Sequence, residues 1–214
     1  FIRLGQTYLP KGKLKYMKSM TPLTEDESLL RTKNAFCQVF KTTNPFDEPF
    51  VESVSQRSLL YPISFQLQQR ELASIAAAIH AIGETDFYLS ALERSTNSKL
   101  TQPYDWYIPI AQIDQYYSIN GYLFLLENAL YSTKGTWGIM ISHEQHAIVG
   151  GSKLFLDTLM SYWPFSPAEQ IANFLHDWKT NHEQLGANIS WLPKLLAHIY
   201  GKQQAQYVMQ EMDF

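Results

Sequence analysis

The stretch Trp137–Gly151, WGIMISHEQHAIVGG, constrains the fold of this chain more than any other. Two short runs of mainly apolar residues flank a short polar segment, which is typical of a β-hairpin. Upstream, from residue 86, similar aromatic and β-branched runs are separated by the turn signals STNSK, SING and STKG. The pattern therefore predicts a central antiparallel sheet over about residues 86–150. Within it, IAQIDQYYSI fits either a strand or a short helix.

Helical patterns flank this strand-rich centre on both sides. TEDE fits a capping box and predicts a helix over Glu25–Lys41, and LQQRELASIAAAIHAIG predicts a second helix. After the sheet, apolar periodicity predicts helices that begin at Ser152, Ser166 and Ser190. The second of these has a strong start signal, because SPAE combines an N-cap, a proline and a capping-box glutamate. RSLLYPISF fits a short edge strand, because a proline cannot donate to a sheet ladder. We expect an irregular arm over residues 1–24 and a single α+β domain over residues 25–214.

Charge and cysteine content limit the environment and the partners of the protein. The formal net charge is −3, which argues against non-specific binding of nucleic acid. A single cysteine, Cys37, excludes an internal disulfide and favours a reducing compartment, so we expect a cytoplasmic protein. Cys37 falls on the apolar stripe of the first helix and is predicted to lie in the core. The sequence has no apolar run long enough to cross a membrane and no visible signal peptide, so no membrane contact is expected.

The polar segment between the hairpin runs places His143 and His146 three residues apart. Zinc proteases place two histidines four apart on a helix, so the spacing and the strand-like flanks favour a solvated turn. A metal-dependent hydrolase that uses both histidines and Glu144 remains an alternative. The sequence contains no phosphate-binding loop and no Gly-x-Ser-x-Gly motif, so we predict no catalytic residue, bound metal or cofactor.

Two features favour recognition of a protein partner. The first is an aromatic band in which neighbouring pairs place one side chain outward if they lie in strands, and outward Tyr and Trp are frequent interface anchors. The second is a pair of acidic segments, TEDE and FDEPFVE. The predicted partner-binding residues come from the aromatic band and the hairpin tip: Asp105, Trp106, Asp114, Tyr116, Tyr117, His143, Glu144 and His146.

The segment ENALYSTKGTWGIMISHEQHAIVGGSKLFLDTL resembles the core of small bacterial immunity proteins, and is loosely similar to the SUKH superfamily. The resemblance lies between Tyr104 and Leu159 and does not cover the flanking helices. It implies a non-enzymatic, cytoplasmic α+β protein that neutralises a cognate protein toxin of a polymorphic or contact-dependent system by occluding its active site. Besides the hydrolase, a phage or mobile-element accessory protein or a self-associating structural protein remains an alternative. The oligomeric state stays open.

Overall fold

The computed structural model describes residues 20–64, 66–93, 104–119 and 127–211. It shows an α+β fold, as the sequence predicts, in which helices pack on both faces of one seven-stranded antiparallel sheet. The sheet extends beyond the predicted residues 86–150, because strands at 21–22 and 56–60 form its two edges. The strands are β1 Thr21–Pro22, β2 Gln56–Leu60, β3 Asp86–Ala91, β4 Asp105–Pro109, β5 Asn128–Ser132, β6 Gly138–Ile141 and β7 Ala147–Gly151. The helices are α1 Asp26–Val39, α2 Gln69–Ala81, α3 Lys153–Tyr162, α4 Pro167–Leu185, α5 Leu192–Tyr200 and α6 Lys202–Glu211, with a 3₁₀ helix at Ile110–Ser118.

The strand order is β1-β4-β3-β5-β6-β7-β2, and the sheet is open. β6 and β7 form the predicted hairpin, in which Ile141 pairs with Ala147 across the polar segment. β2 lies at the far edge beside β7, as the proline-limited pattern of RSLLYPISF predicts. IAQIDQYYSI is a 3₁₀ helix, so the helical interpretation of that segment is correct.

One face of the sheet is covered by α2 and α3. Strand alternation directs Phe87, Leu89, Ile139 and Ile141 to this side, where they are fully or almost fully buried. Trp137 stacks on Phe155 with ring centroids 4.8 Å apart. This face holds the larger apolar core of the described residues.

The opposite face is covered by α1, α5 and the segment 41–55, and two glycines allow the close approach. Gly138 and Gly150 lie opposite each other on β6 and β7. A Cβ on Gly150 would lie 2.6 Å from Cγ1 of Val54, and one on Gly138 would overlap the Phe40 ring. The Trp-Gly and Gly-Gly pairs that carry the family resemblance therefore have a packing reason in this fold.

A third apolar cluster closes the β2 edge. Phe174 and Trp178 of α4 meet Leu196 of α5 and Leu59 of β2, and α6 adds Ala205. The N-terminus of α4 has the predicted capping box, because Ser166 accepts from the Glu169 backbone and Glu169 accepts from the Ser166 backbone. Gly201 separates α5 from α6.

Two sequence predictions about the first helix are wrong. α1 begins at Asp26 with Glu25 as its N-cap, and no side chain makes the cap hydrogen bond that TEDE predicts. Cys37 is exposed, because the buried stripe of α1 runs through Thr32, Ala35 and Val39. Within the predicted arm, Thr21 and Pro22 pair with β4. Residues 1–19, STNSK and most of GYLFLLE lie outside the described residues.

Candidate functional site

The predicted partner-binding residues do not form one surface. Asp105 and Trp106 are neighbours on β4 and point to opposite faces of the sheet, and both are buried. Tyr116 is fully buried, its hydroxyl accepts from the Leu67 backbone, and burial raises the pKa of that hydroxyl. The partner-binding role predicted for these three residues requires exposed side chains, and their burial contradicts it. Asp114 and Tyr117 are exposed on the 3₁₀ helix, so their predicted role in partner binding stays a prediction.

At the hairpin tip, His143 and Glu144 are exposed. Nδ1 of His143 lies 3.1 Å from Oε1 of Glu127, and its Nε2 lies 3.4 Å from Oε1 of Glu144. Burial raises the pKa of Glu127, and His143 offsets part of that rise. The His143 ring therefore lies between two carboxylates, one on the hairpin and one just before β5.

His146 lies on the other side of the hairpin backbone and is fully buried, so its predicted role as a surface residue is wrong. Its ring stacks on Trp191, with centroids 5.7 Å apart, and meets Phe46 and Phe174 edge-on. Neither ring nitrogen has a partner of acceptable hydrogen-bond geometry. Burial lowers the pKa of His146 to about 4, and backbone groups of Pro45 and Glu144 offset only part of this effect.

The two histidines therefore do not face a common ligand position, since one lies in solvent and the other inside an aromatic cage. In the described parts of the chain, no three histidine, cysteine or acidic side chains are grouped to hold a metal ion. The geometry gives the His143/His146 hydrolase alternative no support.

A concavity lies between α1 and the strands β3, β4 and β5. It is open to solvent and has a volume of about 450 Å³, within the range of roughly 300–1,000 Å³ that is usual for ligand pockets. Its walls are mainly apolar, from Leu29, Leu30 and Phe36 of α1 and from Ala91 and Leu92 at the end of β3. We call this concavity the α1 cavity.

The floor of the α1 cavity is a buried polar network. Ser90 and Asp105 are opposite each other on β3 and β4, and Oγ of Ser90 donates to Oδ1 of Asp105 at 2.5 Å. The Tyr131 hydroxyl lies 2.7 Å from Oγ of Ser90. Because the Ser90 proton is directed to Asp105, Tyr131 donates to Ser90. The hydroxyl protons of Tyr131 and Ser90 are thus directed towards the carboxylate of Asp105.

The rim of the cavity is charged and belongs to α1. Asp26 and Lys33 line the opening, and Glu25, Asp26 and Glu27 are all exposed in the first turn. Glu27 pairs with Arg31 one helical turn later. Leu30, at the cavity, is 58 % exposed, which is high for a leucine on a packed helix. An acidic helix end thus adjoins an exposed apolar side chain and an open cavity.

Two of the three acidic residues of the second acidic segment, FDEPFVE, are paired within the fold. Asp47 accepts from Lys194 at 2.5 Å and Glu48 from Lys41 at 3.3 Å. The hydrogen bond from Lys194 lowers the pKa of Asp47. Of the two segments, the first turn of α1 is therefore the one with acidic groups directed to solvent beside a cavity.

Sequence reasoning named Asp105 for its position in the aromatic band and missed Ser90 and Tyr131. These three residues meet only because the register of β3 places Ser90 opposite Asp105 and Ala129, diagonal to Tyr131. No local motif carries that information. The usable signal is the single serine in the apolar strand DFYLSA.

Comparison of the chain with models of known protein families, with curated proteins and with solved structures finds no match. The likeness to immunity proteins therefore rests on the sequence segment alone. Among the described residues, no helix is both long and apolar enough to cross a membrane.

Proposed function

We propose that this protein is a non-enzymatic inhibitor that binds a protein partner, an immunity protein that neutralises a cognate toxin by covering its active site. The partner-binding surface in this proposal is the first two turns of α1 together with the mouth of the α1 cavity. This location replaces the aromatic band and the hairpin tip, whose members are divided between core and surface.

The observation that carries the proposal is the combination at α1 of exposed acidic groups, the 58 % exposed Leu30 and an open, largely apolar cavity. Acidic groups speed the encounter with a basic surface, and apolar anchors that fill pockets supply most of the binding energy at protein interfaces. The partner surface is accordingly basic, with a protruding side chain that enters the cavity.

The chemistry of the cavity favours recognition over catalysis. The Ser90 hydroxyl donates to a carboxylate and has no histidine base among the residues lining the cavity. As an immunity protein, the chain would act in the cytoplasm of the cell that makes the toxin, where its exposed Cys37 stays reduced.

The test is co-production with the product of the adjacent upstream gene. If the proposal is right, that product alone stops growth, this protein restores it, and the two purify as a complex of defined stoichiometry. An upstream product that neither harms cells nor binds would overturn the proposal.

Matched charge variants locate the surface. The triple variant E25Q/D26N/E27Q removes three acidic groups at α1, and D114N/E144Q/E183Q removes three exposed acidic groups elsewhere. We expect the α1 triple to slow association about 10-fold or more and the control triple to change it about 2-fold or less. The opposite order would move the interface to the 3₁₀ helix and the hairpin tip.

A further inference from the structure

We propose that the α1 cavity takes a large apolar side chain of the partner, and that a basic residue next to this side chain contacts the acidic first turn of α1. This inference rests on the proposed function and names the group that enters the cavity. The apolar side chain fills the cavity, and its basic neighbour stays at the rim in contact with solvent.

The floor of the cavity offers little to a polar ligand. Ser90 hydrogen-bonds to both Asp105 and Tyr131, and the three side chains are only 1–4 % exposed. A polar group that enters the cavity loses its water and has to compete with these bonds for a partner, which costs affinity. The closed floor therefore disfavours insertion of a charged or polar group and leaves apolar contacts as the source of affinity.

The accessible walls are mainly apolar. Leu29 and Phe36 of α1 and Leu92 just after β3 are half-buried, so part of each side chain stays accessible in the cavity. Leu30 beside them is 58 % exposed. A cavity of about 450 Å³ has room for a large side chain, which would remove this apolar surface from water. An apolar group is thus the occupant that gains most from these walls.

The rim places charges in a fixed order along α1. Asp26, Leu30 and Lys33 lie at positions i, i+4 and i+7, and hence on one face of the helix. Asp26 and Lys33 are about 10 Å apart along the helix axis, since each residue adds about 1.5 Å. With Glu25 and Glu27 also exposed, the Asp26 end of the opening attracts a basic residue, whereas Lys33 repels one. The basic residue of the partner therefore lies on the Asp26 side of the apolar anchor.

The test uses the free protein and three capped tripeptides as probes. Acetyl-Lys-Phe-Lys-amide has the proposed combination, acetyl-Lys-Ala-Lys-amide removes the large apolar side chain, and acetyl-Glu-Phe-Glu-amide reverses the charge. Binding is followed by the ¹H–¹⁵N NMR shifts of backbone amides. We expect the Lys-Phe-Lys probe to bind weakly and to shift amides of α1 and of the end of β3. Each of the other two probes should bind at least about 5-fold more weakly.

Two exposed leucines provide a matched pair of variants. Leu30 is 58 % exposed at the cavity, and Leu154 is 55 % exposed on α3. We expect L30A to weaken binding of the Lys-Phe-Lys probe about 3-fold or more and L154A to leave it unchanged. Both side chains are largely exposed, so neither replacement opens a void in the core.

The charged residues of the rim provide a second set of variants. We expect affinity for the Lys-Phe-Lys probe to fall about 2-fold in D26N and to rise about 2-fold in K33Q. D114N removes an exposed carboxylate on the 3₁₀ helix and should leave the affinity unchanged.

Equal binding of the Lys-Phe-Lys and Lys-Ala-Lys probes, equal effects of L30A and L154A, or shifts confined to other parts of the protein would overturn the assignment of the cavity. Equal or tighter binding of the Glu-Phe-Glu probe, or weaker binding by K33Q, would overturn the basic neighbour. Because the titration needs no partner, such a result leaves a toxin complex intact as a finding. Conversely, binding of the Lys-Phe-Lys probe at the cavity of a protein that binds no toxin retains the apolar pocket and removes the immunity function.

Discussion

His146 makes the stability of the folded protein depend on pH. Its ring is fully buried beside Trp191, Phe46 and Phe174, and burial lowers its pKa from the ordinary 6.5 to about 4. The unfolded chain takes up a proton near pH 6.5, whereas the folded chain resists protonation down to about pH 4. Between these values the unfolded state binds more protons, so the free energy of unfolding rises with pH. The contribution of His146 to the free energy of unfolding is complete above pH 6.5 and is lost as the pH falls to about 4.

The size of the effect follows from the two pKa values. A difference of one pKa unit corresponds to about 1.4 kcal/mol, so the lowering of His146 to about 4 corresponds to a contribution of about 3 kcal/mol. For a domain whose whole stability is about 5–15 kcal/mol, this loss is large enough to measure.

The assay is urea unfolding followed by tryptophan fluorescence, from about pH 7.5 to about pH 4.5. The variant H146F keeps an aromatic ring in the cage and removes the titrating group, and H80Q is the control because it removes an exposed imidazole. As the pH falls from about 7.5 to about 4.5, we expect the free energy of unfolding of H146F to rise by about 2–3 kcal/mol relative to that of wild type.

The slope that remains in H146F includes His198, whose pKa is lowered by burial and by the neighbouring Arg57. H80Q should run parallel to wild type. If wild type and H146F lose stability in parallel as the pH falls, the burial argument for His146 is refuted.

Three further outcomes are expected from the fold. Gly150→Ala should lower the free energy of unfolding by about 1–3 kcal/mol, because its new Cβ meets Val54 at 2.6 Å; an unchanged urea midpoint would contradict the close packing. Ser166→Ala should cost about 1 kcal/mol in the same measurement through loss of a helix cap, whereas Thr24→Ala should cost almost nothing, since α1 has no side-chain cap. A thiol reagent should modify Cys37 in the native protein about as fast as in urea, and strong protection would place the thiol in the core after all.

The features that the sequence predicts correctly depend on neighbours in the chain. The α4 capping box lies within four residues, and the β6–β7 hairpin needs only a polar turn between two apolar runs. The interpretation fails for Cys37 because several residues of α1 are apolar, and only the docked sheet decides which stripe is buried.

Most of the candidate site could not be predicted from the sequence, because it depends on contacts between residues that are distant in the chain. Ser90, Asp105 and Tyr131 come from three strands, and strand register brings them together. A one-residue slip in either pairing would turn one partner to the other face. The acidic turn TEDE was recognised, but its position beside a cavity depends on how α1 crosses the sheet.

The position of the edge strand β2 also affects co-translational folding on the ribosome. Gln56 pairs with Gly151, about 95 positions further along the chain. At synthesis rates of about 5–20 residues per second, β2 emerges roughly 5–20 s before its pairing strand is made. Throughout that interval its apolar residues Leu59 and Leu60 lack their final neighbours from β7, α4 and α5. The nascent chain therefore passes through a stage in which β2 has been made and its partner strand β7 has not.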